Sequence, residues 1–286
     1  AVFCFNTSPV LMRLPALVYG KRHHTPVTNY VLDIWPENLY SVLPVKSAFW
    51  RGIAHRVSDW HYRRADRLIA MSEGLRQRLV ERTGKPNAQV AVIPQYCEDF
   101  YAVPQPDEAL NTQFNLVFTG NFSPAQSLET VIRAAVQAHR QGADKLHLLL
   151  VGDGMSRPSL EALVDELNAR DVVTFYGSVP PTRIPAFTAL ADALVVSLSD
   201  SPDLGLTVPA KVASYMAAPK PLLASMAGCG WASAACDVDA LAQNMQAACS
   251  ADLAQRKALG ERAFAYYRAH YRRRELLTRL EEFILG

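Results

Sequence analysis

The residues best suited to hold an anion lie in the segment 206–211, whose sequence is Leu-Thr-Val-Pro-Ala-Lys. The segment opens a predicted helix over residues 211–218, and Pro209 suits a first helical turn. The start of a helix carries unpaired N–H groups and the positive end of the helix dipole, which suit a diphosphate. Thr207 adds a hydroxyl donor, and Lys211 adds a cation one turn further on. An ordinary capped helix with a surface lysine is the alternative.

Glycines follow several predicted strands and form a second candidate feature. They are Gly120, Gly152, Gly154 and Gly177. Glycine at a strand end allows a tight turn and a close approach of ligand to backbone, although plain turns use it as well. The Gly152–Gly154 turn is not a complete GxGxxG fingerprint, and no acidic partner for a ribose follows about 20 residues later. The pattern therefore favours a nucleotide site and argues against an NAD-linked dehydrogenase.

The elements that position these residues alternate regularly along the chain. Short apolar runs predict strands at 1–6, 27–32, 67–71, 89–93, 115–119, 146–151, 172–175, 193–197 and 221–224. Helical patterns lie between them, and the helical stretch 253–285 is expected to break near His270. This order predicts an α/β fold with two parallel sheets covered by helices, in which ligands bind at the carboxyl ends of the strands.

The length and composition fit this fold. A chain of 286 residues that is 50% hydrophobic suits two domains, and the proline-containing stretch 98–107 is the candidate linker. The chain has five cysteines, and an odd number in a chain of this length indicates reduced thiols of a cytoplasmic protein. They form no CxxC pair, and no metal site is expected. No apolar run is long enough to predict a transmembrane helix.

The segment 46–85 is strongly basic, with ten Lys or Arg against four Asp or Glu. Aromatic residues interleave with its cations at Phe49, Trp50 and Trp60. Such a stretch can attract phosphates, nucleic acid or an anionic membrane, and a solvated helix face is the plain alternative. Nucleic acid is not expected, since no recognised binding module is present.

Several segments in a fixed order resemble one enzyme family. They are residues 33–37 (DIWPE), 93–101 (IPQYCEDFY), 119–129 (TGNFSPAQSLE), 151–154 (VGDG), 175–177 (FYG) and 206–221 (LTVPAKVASYMAAPKP). Together they resemble GT4-type retaining glycosyltransferases. The resemblance is closest to the fucosamine-transferase-like branch, which builds bacterial capsule, O-antigen and exopolysaccharide repeat units.

This resemblance implies a GT-B fold, which has two Rossmann-like domains and a cleft between them. Residues 1–103, completed by a C-terminal helix at 270–286, would form the acceptor domain. Residues 104–269 would form the donor domain. Relatives start earlier, so the first domain is expected to be incomplete at its N-terminus, and they have a longer connection where Met226 meets Ala227.

The resemblance also implies roles for individual residues. The base of the donor would meet Gly177, Ser178 and Val179, and Arg157 can reach its phosphates. The diphosphate would meet Gly120, Asn121, Thr207, Val208, Pro209 and Lys211. In the acceptor domain, Asp33 would lie beside the reacting sugar, although it can equally cap a helix before Pro36. Glu37 is a weaker candidate for the acceptor side, and a charge-paired structural carboxylate is the alternative.

The chain departs from the family pattern at charged positions. Many relatives carry an Arg and a Lys after the first strand of the donor domain, where this chain has the neutral Asn121 and Gln126. They also carry two Glu at the donor helix, which align with Leu206 and Ser214. Lys211 is then the clearest cation on the phosphates.

The expected activity is a retaining transfer of a sugar from a nucleoside diphosphate, with UDP-sugar as the favoured donor and no metal or other cofactor. The acceptor implied is a lipid-linked saccharide at the inner face of the plasma membrane. Two other functions stay open: a sugar-nucleotide 2-epimerase on the same fold, and a non-catalytic protein that binds nucleotide sugars.

Overall fold

A computed structural model describes residues 1–6, 9–40, 45, 47–102, 113–200, 208–224 and 230–286. The chain divides into two compact units. The first contains Ala1–Tyr96 and Arg273–Gly286, and the second contains Cys97–Asp200 and Ala210–Arg272. Each unit is built on its own parallel sheet.

The described strands are β1 Val2–Asn6, β2 Val27–Val31, β3 Arg67–Ala70, β4 Val90–Val92, β5 Phe114–Asn121, β6 Leu146–Asp153, β7 Val173–Gly177, β8 Ala193–Val196, β9 Leu222–Ala224 and β10 Gly230–Ala232. The described α-helices are α1 Leu14–His23, α2 Glu37–Tyr40, α3 Ala48–Arg64, α4 Glu73–Thr83, α5 Leu128–Arg140, α6 Arg157–Glu166, α7 Ile184–Leu190, α8 Ala210–Ala217, α9 Val238–Ser250, α10 Leu253–His270 and α11 Arg273–Leu285.

The sheet of the first unit has the order β1-β2-β3-β4, and its strands are all parallel. Its central strand β2 is buried on both faces, as is typical of parallel sheets, although its sequence includes the polar Thr28 and Asn29. Helix α11 returns from the end of the chain and packs Leu276 against Tyr30 and Ile69. The side chain of Arg67 donates to main-chain carbonyls near the end of α11, at Phe283 and Ile284.

The sheet of the second unit has the order β10-β9-β8-β5-β6-β7, again with parallel pairing. Strand β5, the first of this unit in the sequence, lies between β8 and β6. The strand order therefore reverses direction between β5 and β8, and such a switch point opens a crevice at the carboxyl ends of the strands. The predicted α/β fold with two parallel sheets is confirmed.

Strand β10 was not predicted from the sequence, and helix α1 was predicted only as one of the helical patterns between strands, without bounds. Helix α1 contains Pro15 and Gly20, both of which weaken a helical pattern. Pro15 lies in the first turn of the helix, where proline is tolerated, and Gly20 packs closely against Val27 of β2. The predicted break near His270 is present, since α10 ends there and α11 begins at Arg273.

Replacing Gly260 by alanine is expected to destabilise the protein by ~1–3 kcal/mol, although alanine is the better helix former. Gly260 lies inside α10, and a Cβ there would meet the carbonyl carbon of Pro219 at 2.6 Å. Gly52 is the matched control, because it lies inside α3, is exposed and has nothing within 4 Å of an added Cβ. Gly52→Ala should raise stability by ~0.5–1 kcal/mol. Urea unfolding of both variants checks this, and shifts of the same sign would contradict the packing.

Candidate functional site

At the switch point of the second sheet, main-chain and hydroxyl contacts join the segments that follow β5 and β8. A short 3-10 turn at Pro124–Gln126 follows β5. The residues after β8 hold this turn: the Ser199 N–H donates to the Ala125 carbonyl at 2.9 Å, and the Ser197 hydroxyl donates to the Gln126 carbonyl. These hydrogen bonds fix the main chain on both sides of the switch point, so the Cα of Gln126 has a defined position.

Lys211 lies in the first turn of α8, and its side chain extends to the switch point. Its Nζ lies 2.6 Å from Oε1 of Gln126 and 3.7 Å from the centroid of the Phe118 ring. Burial lowers the pKa of the Lys211 amine from 10.5 to about 7. The amine therefore lies at the switch point of the sheet, and a nearby anion would favour its charged form.

The glycines at the strand ends make room for this arrangement. Gly120 and Gly152 are partners in the β5–β6 register. A Cβ on Gly120 would lie 3.2 Å from Nζ of Lys211, so the absence of a side chain lets the amine approach the strand end. Gly152 has a φ of +141° and an added Cβ would collide with the Gly120 carbonyl. A Cβ added to Gly154 would likewise collide with Asn121 and Phe122.

The buried Tyr215 was not singled out from the sequence, yet it anchors the helix that carries Lys211. Its hydroxyl accepts from the Thr119 N–H at 2.6 Å and donates to the Thr119 carbonyl at 3.2 Å. This pair of hydrogen bonds ties α8 to the end of β5. The sequence feature that could have identified Tyr215 is its spacing from Lys211. It lies four residues later and therefore on the same face of the helix.

Other predicted donor-binding residues have different surroundings. Arg157 is bound to two carboxylates, with Nη1 at 3.1 Å from Oδ2 of Asp153 and Nε at 2.8 Å from Oε1 of Glu161. It also lies near Gly177, the end of β7, where an added Cβ would be 3.8 Å from Nη1. Its charge is thus already partnered, which weakens its case as a phosphate ligand.

The remaining predicted residues of the donor site lie around α7, α8 and the end of β7. Ser178 is exposed and Val179 half-buried directly after β7. Val208 and Pro209 are half-buried before α8. The Ser214 hydroxyl donates to the Lys211 carbonyl at 2.9 Å within the helix. Thr207 and the Met226–Ala227 connection lie outside the described residues.

In the first unit, Asp33 follows β2 and is half-buried, and burial raises the pKa of its carboxyl. No hydrogen bond or ion pair of Asp33 is found within the described ranges. The loop around it is held by Tyr62, whose hydroxyl accepts from the Trp35 N–H at 2.9 Å, and by Ser58, whose hydroxyl donates to the Trp35 carbonyl at 2.5 Å. Asp33 thus sits on a fixed loop at the carboxyl end of a parallel strand.

Glu37, predicted on the acceptor side, lies in a buried charge network. Its carboxylate accepts from Nη1 of Arg82 at 3.0 and 3.1 Å, and only 6% of the residue is exposed. Nε of Arg82 donates to Asp59 at 2.7 Å, which continues the network. This geometry matches the structural alternative, because the carboxylate is already occupied by the guanidinium.

Neither a metal site nor a membrane span is found in the part of the chain that the structure describes. No group of three or more His, Cys, Asp or Glu there could hold a metal ion. No helix among the same residues is long and apolar enough to cross a membrane.

Comparison with known proteins relates this arrangement to one class. Residues 113–251, which include β5, β6 and α8, match the family model of Glycosyl transferases group 1. The chain is 28% identical over 271 residues to the probable glycosyltransferase WbjE of Pseudomonas aeruginosa, covering 87% of this chain and 65% of that protein. It is 36% identical over 89 residues to the lipopolysaccharide core biosynthesis glycosyltransferase LpsD of Rhizobium meliloti, covering 31% of this chain and 24% of that protein. The chain thus spans less than two thirds of the length of either relative.

The chain is also similar in its fold to a solved structure. The Anabaena protein Alr3699/HepE, in complex with UDP and glucose, superposes with a TM-score of 0.78 at 16% identity, covering 98% of this chain and 76% of that chain. The class of the fold is therefore GT-B. At the level of sequence, residues 113–251 are similar to the glycosyltransferase group 1 family.

Proposed function

We propose that this protein is a retaining glycosyltransferase of the GT4 type, which moves a sugar from a nucleoside diphosphate, favoured as UDP, to a saccharide acceptor. The observation that carries the proposal is the Lys211 amine at the switch point of the second sheet, 2.6 Å from the neutral Gln126. A buried amine beside strand ends that carry glycine suits a diphosphate. The UDP complex of the similar Anabaena protein supports this choice of ligand.

The chemistry requires stabilisation of the leaving diphosphate as the glycosidic bond breaks. Lys211 and the N–H groups at the start of α8 supply positive potential at that place. We propose that they do so without a metal ion. The donor phosphates would also meet the backbone at Gly120 and Asn121, and the base would meet the segment after Gly177.

The acceptor side of the proposal rests on Asp33. The resemblance implies that this residue lies beside the reacting sugar, and its burial favours a carboxyl that can exchange a proton with a hydroxyl. We infer retention of configuration from the family resemblance, and the two carboxylates that retaining hydrolases place about 5 Å apart are not expected here.

Product analysis tests the proposal most simply. The protein is incubated with labelled UDP-, GDP- and dTDP-sugars, with and without a membrane extract as acceptor. Transfer of label to lipid or saccharide, with the anomeric configuration kept, is the expected result. Conversion of the donor into an epimer would instead establish the epimerase. Binding without turnover on any acceptor would establish a silent binding protein, which the neutral Asn121 and Gln126 favour.

We further propose that the acceptor is lipid-linked and belongs to bacterial surface polysaccharide synthesis, which the likeness to LpsD supports. Helix α3 would then contact the inner membrane surface. Phe49, Trp50 and Trp60 on this helix are 69%, 62% and 42% exposed, and Arg51 and Arg56 are exposed beside them. Exposed aromatic residues among cations suit an anionic lipid interface.

Liposome flotation provides the test of this contact. Wild-type protein should float with vesicles rich in anionic lipid at low salt, and Phe49→Ala/Trp50→Ala should lose at least about half of the bound fraction. Leu253→Ala is the control, since Leu253 is 60% exposed on the second unit and should have no effect. Absence of wild-type flotation at low salt would refute the membrane contact.

A further inference from the structure

In the second unit, the side chain of Gln126 lies in a fixed position next to the amine of Lys211. Residues that follow β8 hold the turn that carries Gln126, because the Ser199 N–H and the Ser197 hydroxyl donate to carbonyls of this turn. Its amide oxygen is therefore aimed at the Lys211 amine, 2.6 Å away. This contact joins residues 85 positions apart across the switch point.

The amine of Lys211 meets no carboxylate among the described residues. It lies beside the Gln126 amide, the Phe118 ring and Gly120. Helix α10 and the 3-10 turn Asp99–Ala102 pack against α8. The titratable groups on these two elements are Asp99, Tyr101, Arg256, Lys257, Glu261, Arg262, Tyr266, Tyr267, Arg268 and His270. Burial alone shifts the pKa of the amine, so none of these groups provides it with a countercharge.

We propose that Gln126 is a positioning residue that holds the buried Lys211 amine at a place without countercharge, so that binding of a diphosphate is coupled to the uptake of one proton by that amine. This inference rests on the proposed function, because the diphosphate is the donor's. When the diphosphate binds, one of its oxygens replaces the Gln126 amide oxygen beside Nζ of Lys211. The neutral amine gains a proton from the solvent, and the resulting ammonium pairs with the anion.

The direction of the pH dependence follows from the free and bound forms of the amine. In the free protein, burial lowers the pKa of Lys211 to about 7. An adjacent anion favours the charged form and raises that pKa. The contribution of Lys211 to affinity is therefore complete below pH 7 and is lost as the pH rises toward the pKa of the complex. In that window, affinity falls by up to about tenfold for each pH unit.

Calorimetry with UDP at pH 8 measures the coupling directly. At this pH the phosphates of UDP are already ionised, so a difference in heat between two buffers of unlike ionisation enthalpy reports protons taken up by the protein. Wild type should take up close to one proton, and Lys211→Met should take up none. Gln126→Glu should also take up none and bind about tenfold more weakly, because its carboxylate charges the amine beforehand and competes with the phosphate.

Gln141→Glu is the matched control, since it adds the same charge at the exposed end of α5 and should leave proton uptake unchanged. Wild-type binding without proton uptake, or uptake that persists in Gln126→Glu, would overturn the proposal.

A second measurement does not depend on the nucleotide. NMR titration of the lysine side chains, with Lys211→Met identifying the resonance, should show Lys211 titrating near pH 7 and shifted upward in Gln126→Glu. A Lys211 midpoint near 10 in the free protein would refute the role of Gln126 even if UDP binds. A midpoint near 7 without UDP binding would refute the proposed donor alone.

Discussion

Lys211→Met should lower the turnover of sugar transfer by roughly tenfold to a thousandfold, the scale of one group that stabilises developing charge. The loss should appear in kcat more than in KM, because the amine matters most as the diphosphate departs. Methionine fills the space over Phe118 without an amine, so the fold should be kept.

The control for this variant is Lys257→Met, which removes a cation from an exposed position on α10 and should leave turnover unchanged. Thermal unfolding of both variants separates loss of function from loss of structure. A folded Lys211→Met protein with wild-type turnover would remove Lys211 from the mechanism.

Glu37→Gln should lower the free energy of unfolding by ~3–5 kcal/mol, the usual cost of breaking a buried ion pair. The change removes the carboxylate charge from Arg82 and leaves that guanidinium with Asp59 alone. Urea unfolding of the variant measures the loss.

Glu81→Gln is the matched control, because Glu81 is exposed and its nearest cation, Arg78, is 3.9 Å away. Its effect should stay below about 1 kcal/mol. If Glu37→Gln kept full stability and lost transfer, Glu37 would belong to the acceptor site and not to the structural network.

The fold could be predicted from the sequence largely because buried parallel strands are short apolar runs with little ambiguity. Strands β5 and β6 show this, since each is almost entirely buried and ends at a glycine-containing turn. The sequence did not give bounds for helix α1, because Pro15 and Gly20 oppose a helical pattern in isolation. Their compatibility depends on the position of Pro15 in the first turn and on the contact of Gly20 with β2.

The candidate site could be predicted only in part, because residue type does not determine partners. Lys211 was identified from its place in a helix start, but its contact with Gln126 depends on the strand order that brings β5 and β8 together. Arg157 carries the charge expected of a phosphate ligand, yet Asp153 and Glu161 bind it. The partner of Glu37 was likewise not predictable, because Arg82 lies on a helix 45 residues further along the chain.

A crystal structure of the protein with bound UDP tests the central claim most directly. We predict that an oxygen of the diphosphate lies within about 3 Å of Nζ of Lys211, with Gln126 displaced from the amine. The pyrophosphate should lie against the first turn of α8 and the backbone at Gly120. A nucleotide bound elsewhere on the second unit, with the Lys211–Gln126 contact intact, would contradict the account.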